Sequence, residues 1–280
     1  MKQQKSLAQI VEEYIDSGEA ELPVFDRTAL EIRKMIDAKV YDPQAVEKLV
    51  ASDPALTGSL LRHANSSFFS AIEKVVTVRD AIVRLGVKQV AELVLLATQQ
   101  QQYALRDPML RELASQLWRH AVGCAIGAQW LARKLGMENQ VQEAFLAGLM
   151  HDIGKLLLLR VLDGLLHSKQ LKFRPSEKLV GQLLDSLHAE YGEKLMRQWN
   201  IPDSYAEIAR CHHDRDYDET NNLLALIRLI DIACNRLGIG IRGKVELNVA
   251  ASSEAQRLRA SEVVLAELEI RLEDAMHLSA

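Results

Sequence analysis

Ala144-Phe145-Leu146-Ala147-Gly148-Leu149-Met150-His151-Asp152-Ile153-Gly154-Lys155 is the stretch from which the rest of the chain is read. An apolar run too long to face water ends in a histidine beside an aspartate. Burying such a pair alone costs several kcal/mol, so groups of this kind are paired with one another or bound to a metal. Further groups of the same chemistry lie outward in both directions. His120 is upstream, and His188, His212, His213 and Asp231 are downstream, each inside or beside an apolar helical pattern.

The period around this stretch is helical. Leu7, Ile10, Val11, Tyr14 and Ile15 make an apolar stripe at i, i+3, i+4, i+7 and i+8. A second helix is expected from Asp26 or Thr28 to about Ala38, with Leu30, Ile32, Met35 and Ile36 as its apolar positions. Asp42-Pro43, Ser52-Asp53-Pro54 and Asp107-Pro108 place a capping side chain before a proline at the first helical position. Val87 to about Leu105 reads as one helix whose glutamines, Gln99 to Gln102, form a solvated face. Met109 to Leu135 follows as a long helix, then Val141 to Met150 and Leu156 to Leu166. Ser176 opens a helix to His188, and Tyr191 to Trp199 is read as a separate one. Asn222 to Leu237 is an apolar helix with Asp231 inside it, and Ser252 or Ser253 starts a last amphipathic helix. Val75 to Val78, the main β-branched cluster, is too short to imply a sheet. The expected fold is all-α and two-lobed: residues 1–107 form an N-terminal helical lobe, and residues 108–280 form a histidine-bearing lobe with a C-terminal helix.

Composition narrows the classes of function. With 280 residues the chain can bury roughly three quarters of its unfolded surface. A net charge of −4 and an aromatic content of 5% argue against nucleic acid as a partner, because a basic stripe interleaved with aromatics is missing. There is no G-x-x-x-x-G-K phosphate loop, so ATPase chemistry has no support. No apolar run approaches the ~20 residues needed to span a bilayer. Cys124, Cys211 and Cys234 are odd in number and lack C-x-x-C spacing, which reads as reduced thiols in a cytoplasmic protein.

Five of the eight histidines fall into the ordered series with two aspartates, while His63, His167 and His277 have no such company. A donor set of imidazole and carboxylate without thiolate suits Fe, Mn, Zn or Ni. A carboxylate flanked by histidines on both sides is what a two-ion site requires, and such a site activates water for in-line phosphoryl displacement.

The same series, His120, His151-Asp152, His188, His212-His213 and Asp231, resembles the HD metal-dependent phosphohydrolase superfamily, whose core is a helical bundle. Asp53-Pro54-Ala55-Leu56, Leu61-Arg62-His63-Ala64-Asn65-Ser66, Ala81-Ile82-Val83-Arg84-Leu85-Gly86 and Leu117-Trp118-Arg119-His120 are similar to its HDOD branch, the "HD-related output domain" of bacterial signalling proteins. The resemblance implies that His151, Asp152 and Asp231 are the basal ligands, with Asp152 bridging if two ions bind. It implies that His120 completes the first ion's shell, and that His188, His212 and His213 serve a second. Lys155 matches a lysine that approaches substrate phosphate in related enzymes, and Asn65 reads as a turn-forming residue. His213-Asp214-Arg215-Asp216-Tyr217-Asp218 has neither the Gly nor the Pro of the Gly-Tyr-Pro loop of cyclic dinucleotide phosphodiesterases, so that activity is not expected. Two readings follow. One is a phosphohydrolase or phosphodiesterase acting on a nucleotide or other phosphate-containing small molecule through metal-activated water. The other is a non-catalytic regulatory module, with a structural metal and a signalling partner protein.

Overall fold

The computed structural model describes residues 5–23, 27–69, 74–218 and 220–278, and every regular element among them is a helix. Asp26 and the Ile36 side chain lie outside the described residues. The first helices are α1 (Leu7–Asp16), α2 (Arg27–Ala38), α3 (Pro43–Ala51), α4 (Pro54–Ala64), α5 (Val78–Leu85) and α6 (Val87–Gln100). Those that carry the histidine series follow: α7 (Pro108–Lys134), α8 (Val141–Met150), α9 (Ile153–His167), α10 (Glu177–Gln198), α11 (Asp203–Cys211) and α12 (Asn222–Leu237). The short α13 (Ser253–Arg257) and α14 (Glu262–Ala275) close the described chain.

The helix starts follow the capping chemistry. Asp42, Asp53 and Asp107 each accept backbone N–H groups of the first turn, with proline next in line. Thr77 and Asp80 form a reciprocal capping box at α5. Asn65 ties the end of α4 to a distant strand of chain: its amide donates to the Leu61 and Val75 carbonyls and accepts from the Val75 N–H, at 2.7–2.9 Å.

Packing divides by neighbour. α2, α3, α4 and α5 pack on α6, while α7, 27 residues long, is covered by α8, α12 and α14. α1 packs on α9, so a helix from the start of the chain belongs to the same layer as the histidine-bearing helices. Asp163 of α9 accepts the backbone N–H groups of Arg106 and Asp107, which fixes the entry into α7. α8 is apolar almost all round, and Ala144 through Met150 are all buried, as a central helix must be.

Three boundaries differ from the sequence reading. α10 runs unbroken through His188 and Tyr191, because Ala189 and Glu190 are strong helix formers and nothing between them stops the helix. α6 ends at Gln100 and tightens into a 3-10 turn, and Gln99 is buried at 4% exposure rather than solvated. The last helix is interrupted: Arg259 adopts φ 53° and Ser261 starts a new cap at α14.

Candidate metal centre

Two glycines of the central stretch bring the donor-bearing helices into range. A Cβ on Gly148 would lie 2.4 Å from the carbonyl oxygen of Cys124, one turn beyond His120 on α7. A Cβ on Gly154 would lie 1.9 Å from the carbonyl oxygen of His188 on α10. Only glycine permits such backbone approach. Between them α8 ends, and Asp152 leaves helical geometry (φ −101°, ψ 14°) to start α9. That one-residue break aims His151 and Asp152 into the same space.

Four imidazoles are oriented in the same way. The Nδ1 of His120 lies 2.9 Å from the Ile239 carbonyl, and that of His151 lies 2.9 Å from the Gly148 carbonyl. His188 pairs with the Leu184 carbonyl at 2.7 Å and His212 with the Ala209 carbonyl at 2.9 Å. Each Nδ1–H donates outward, which turns Nε2 toward the centre. All four Nε2 atoms converge on Asp152. Its Oδ2 faces His120 at 3.5 Å and His151 at 3.6 Å, while its Oδ1 faces His212 at 3.4 Å and His188 at 3.6 Å. Asp231 Oδ1 adds a 3.3 Å contact to His120 Nε2, and it accepts from Asn235 at 3.0 Å. His213, more exposed, lies against His212 with ring centroids 4.0 Å apart and planes tilted by 44°.

The donors fall into two sets, His120 with His151 and Asp231, and Asp152 with His188, His212 and His213; the ligand atoms of each set lie within 4.8 Å of one another. A cation fits both. Asp152 Oδ1, His188 Nε2 and His212 Nε2 are fully buried with no hydrogen-bond partner, so bare lone pairs face a carboxylate. The separations of 3.3–3.6 Å are those left around an ion roughly 2.0–2.2 Å from each nitrogen or oxygen ligand.

Electrostatics separate His120 from His188 and His212. Burial pushes His212 down to about 3 and His188 down to about 4, which outweighs the pull of Asp152 and keeps both neutral. Burial would raise both carboxyls, but the Lys155 and histidine charges hold Asp152 well below the usual carboxylate range, and the His120 hydrogen bond does the same for Asp231. His120 itself is raised to about 9: burial opposes the shift, and the Asp231 bond with neighbouring negative charge overcomes it. Lys155 donates to Asp152 Oδ2 at 2.6 Å and lines the adjoining cavity.

All seven expected donors therefore share one site, with Lys155 beside them. Sequence reasoning missed the groups that hold it. Arg228 of α12 donates to the carbonyls of His212 and Asp214 at 2.9 and 2.8 Å and to Glu254 at 2.8 Å, and so clamps the turn that carries the paired histidines. Its signal was available as a lone arginine in the apolar run Leu223 to Ile230. Cys124 and Cys234 are free thiols 3.7 Å apart, and Cys124 sits 3.5 Å from His120 Nε2.

The chain belongs to the HDOD family: residues 22–215 match the HDOD domain. The fold is similar to that of an HDOD domain protein with unknown function from Geobacter sulfurreducens (TM-score 0.75, 21% identity, covering 96% of this chain and 95% of that one). It is also similar to a protein of Shewanella amazonensis SB2B provisionally named a metal-dependent phosphohydrolase (TM-score 0.71, 16% identity, 98% of each chain). In sequence the chain is 24% identical, over 199 residues, to an uncharacterized protein of Treponema pallidum (strain Nichols). The match takes in 69% of this chain and spans 38% of that relative's length. No helix among the described residues is long and apolar enough to cross a membrane.

Proposed function

We propose that this protein is a metal-dependent phosphohydrolase that cleaves a phosphate ester of a small molecule, a nucleotide among them, in the cytoplasm and within a signalling route. The observation that carries this reading is the division of Asp152: one carboxylate oxygen faces His120 and His151, the other faces His188 and His212. A carboxylate so placed suits a pair of divalent ions, with His120, His151 and Asp231 holding one and His188, His212 and His213 the other. Fe, Mn, Zn and Ni all suit this donor set. When bound, such ions supply positive charge that acidifies water and offsets charge on phosphoryl oxygens.

The chain's own groups do the remaining work. Lys155, steadied by Asp152, presents an ammonium to the cavity where a phosphoryl oxygen would lie. Leu113, Leu117 and Leu184 give that cavity a dry wall, which strengthens every charge interaction inside it. The test is metal analysis of the purified protein, followed by hydrolysis assays on nucleotides and phosphodiesters with Asp152→Ala as control. Bound metal with Asp152-dependent turnover supports the reading, and turnover indifferent to Asp152 removes it.

A second reading has its own observation. Val40, Val76 and Val83, all in the first third of the chain, are 65%, 69% and 82% exposed. A regulatory module with a structural metal would use such apolar surface to engage a signalling partner. Stoichiometric metal with no turnover on any ester would favour it.

A further inference from the structure

The cavity beside the donors has a volume of about 430 Å³, toward the small end of the roughly 300–1,000 Å³ typical of ligand pockets. His120, Asp152, His213 and Asp231 of the donor set line it together with Lys155, and Leu113, Leu117, Leu184 and Ile241 form an apolar wall. Its charged lining comprises the carboxylates Asp152, Asp231, Glu177 and Asp185 against the cations Lys155, Lys178 and Arg242. The acids exceed the bases by one, and a single divalent ion reverses the sign, so the filled site attracts an anion. The volume accommodates one phosphate and one compact organic group.

Two of the lining cations are held differently. Lys155 is pinned to Asp152 at 2.6 Å, with its side chain 11% exposed. Arg242 pairs with Asp185 at 2.7 Å, with both side chains about half exposed. Exposed pairs of this kind contribute little and exchange readily. The loop that carries Arg242 is nonetheless anchored at the centre. Ile239 accepts the His120 Nδ1 bond three residues earlier, and Gly240 packs against the His120 ring. The positive charge of Arg242 interacts with Asp231, Asp152 and His213.

Resting on the phosphohydrolase reading, we infer that Arg242 is a specificity-determining residue: it leaves Asp185 to grip the second negative charge of a terminal phosphate, and so selects phosphomonoesters over phosphodiesters. A guanidinium matches a phosphate dianion with two parallel N–H···O bonds, which a lysine ammonium cannot reproduce. A diester phosphate, with a single negative charge, gains far less from that fork. The apolar wall then covers an uncharged organic part of the substrate.

The experiment pairs calorimetry with kinetics on the metal-loaded full chain. Binding of phenylphosphonate, a dianion, is compared with binding of its monomethyl ester, a monoanion. Arg242→Ala weakens the dianion by about tenfold or more and the monoanion by less than about twofold, as expected for loss of a charge-assisted fork. Arg242→Lys restores only part of the difference, and Asp185→Ala tightens the dianion. With p-nitrophenyl phosphate as substrate, Arg242→Ala raises KM more than it lowers kcat. Equal weakening of both ligands, no weakening of either, or a wild-type chain that fails to bind phenylphosphonate overturns the assignment. Calorimetry needs no turnover. Arg242-dependent binding without hydrolysis therefore sinks the phosphohydrolase reading alone, and hydrolysis indifferent to Arg242 sinks this inference alone.

Discussion

His63 in α4 and His188 in α10 are built alike. Each is buried in a helix, and each has its Nδ1 on the carbonyl one turn earlier, at 2.8 Å for Ser59 and 2.7 Å for Leu184. Among the described residues His63 joins no donor cluster, whereas His188 shares one with Asp152, His212 and His213. The local bond is therefore not what puts a histidine into a donor cluster. Convergence does, and it is produced by backbone contacts elsewhere, at Gly148 and Gly154. The helices around α6 bury polar groups singly or in a local pair such as Glu92 with Gln129, while those around α8 bury a whole set facing one another.

That contrast can be broken most decisively at Asp152. Asp152→Ala is expected to leave the purified protein without stoichiometric metal by elemental analysis, while His63→Ala retains it; retention by the Asp152 variant would show that metal binding does not depend on the Asp152 carboxylate. The glycines come next. Gly154→Ala forces a Cβ onto the His188 carbonyl and is expected to destabilise the fold by about 3 kcal/mol or more in urea unfolding. Gly181→Ala, in the same helix as His188 but with nothing within 4 Å of the new Cβ, is expected to stabilise by about 0.5–1 kcal/mol.

Glu92 sharpens the comparison from the other side. It is buried on α6 and joined to Gln129 of α7 at 2.6 Å, and burial raises its pKa from 4.5 to about 7, against the pull of the Gln129 bond and the Arg133 charge. The folded protein keeps this proton to about pH 7, while the unfolded chain releases it near 4.5. Rising pH through that window therefore favours unfolding, by about 3 kcal/mol in full. Glu92→Gln is expected to flatten this part of the pH–stability profile and to be the more stable form at pH 8.

Arg228→Ala frees the turn carrying His212 and His213, and is expected to weaken metal binding by about 10–100-fold, the usual effect of losing a group that orients ligands. Competition with a chelator would measure it, and an unchanged affinity would mean the turn holds itself. The mildest destabilisation is expected at Asn65→Ala, about 1–2 kcal/mol from its lost backbone bonds, with metal content unaffected.

Much of this was legible in the chain. Aspartate–proline starts, apolar periodicity and the isolated His-Asp pair gave the helices and the donor residues. Three-dimensional contact gave the rest. The helix formers Ala189 and Glu190 did favour a continuous α10 rather than the break expected after His188, but nothing near Gln99 said that its side chain is buried. Arg242 carries no motif; only the fold of its loop over His120 puts it at the cavity. Gly154 was visible as a letter, but its role depends on the backbone of a helix more than thirty residues away.

The helices beyond residue 215 have a practical corollary. The family match ends there, yet α12 brings Asp231, Arg228 and the anchor of the Arg242 loop, and α14 lies along α7 beneath them. α1, which precedes the match, covers α9. A protein trimmed to residues 22–215 would thus be a shell missing one carboxylate donor, the packing of α1 on α9, that of α12 on α7 and α8, and that of α14 on α7. Work on a minimal form of this protein has to keep the chain from about Leu7 through Ala275.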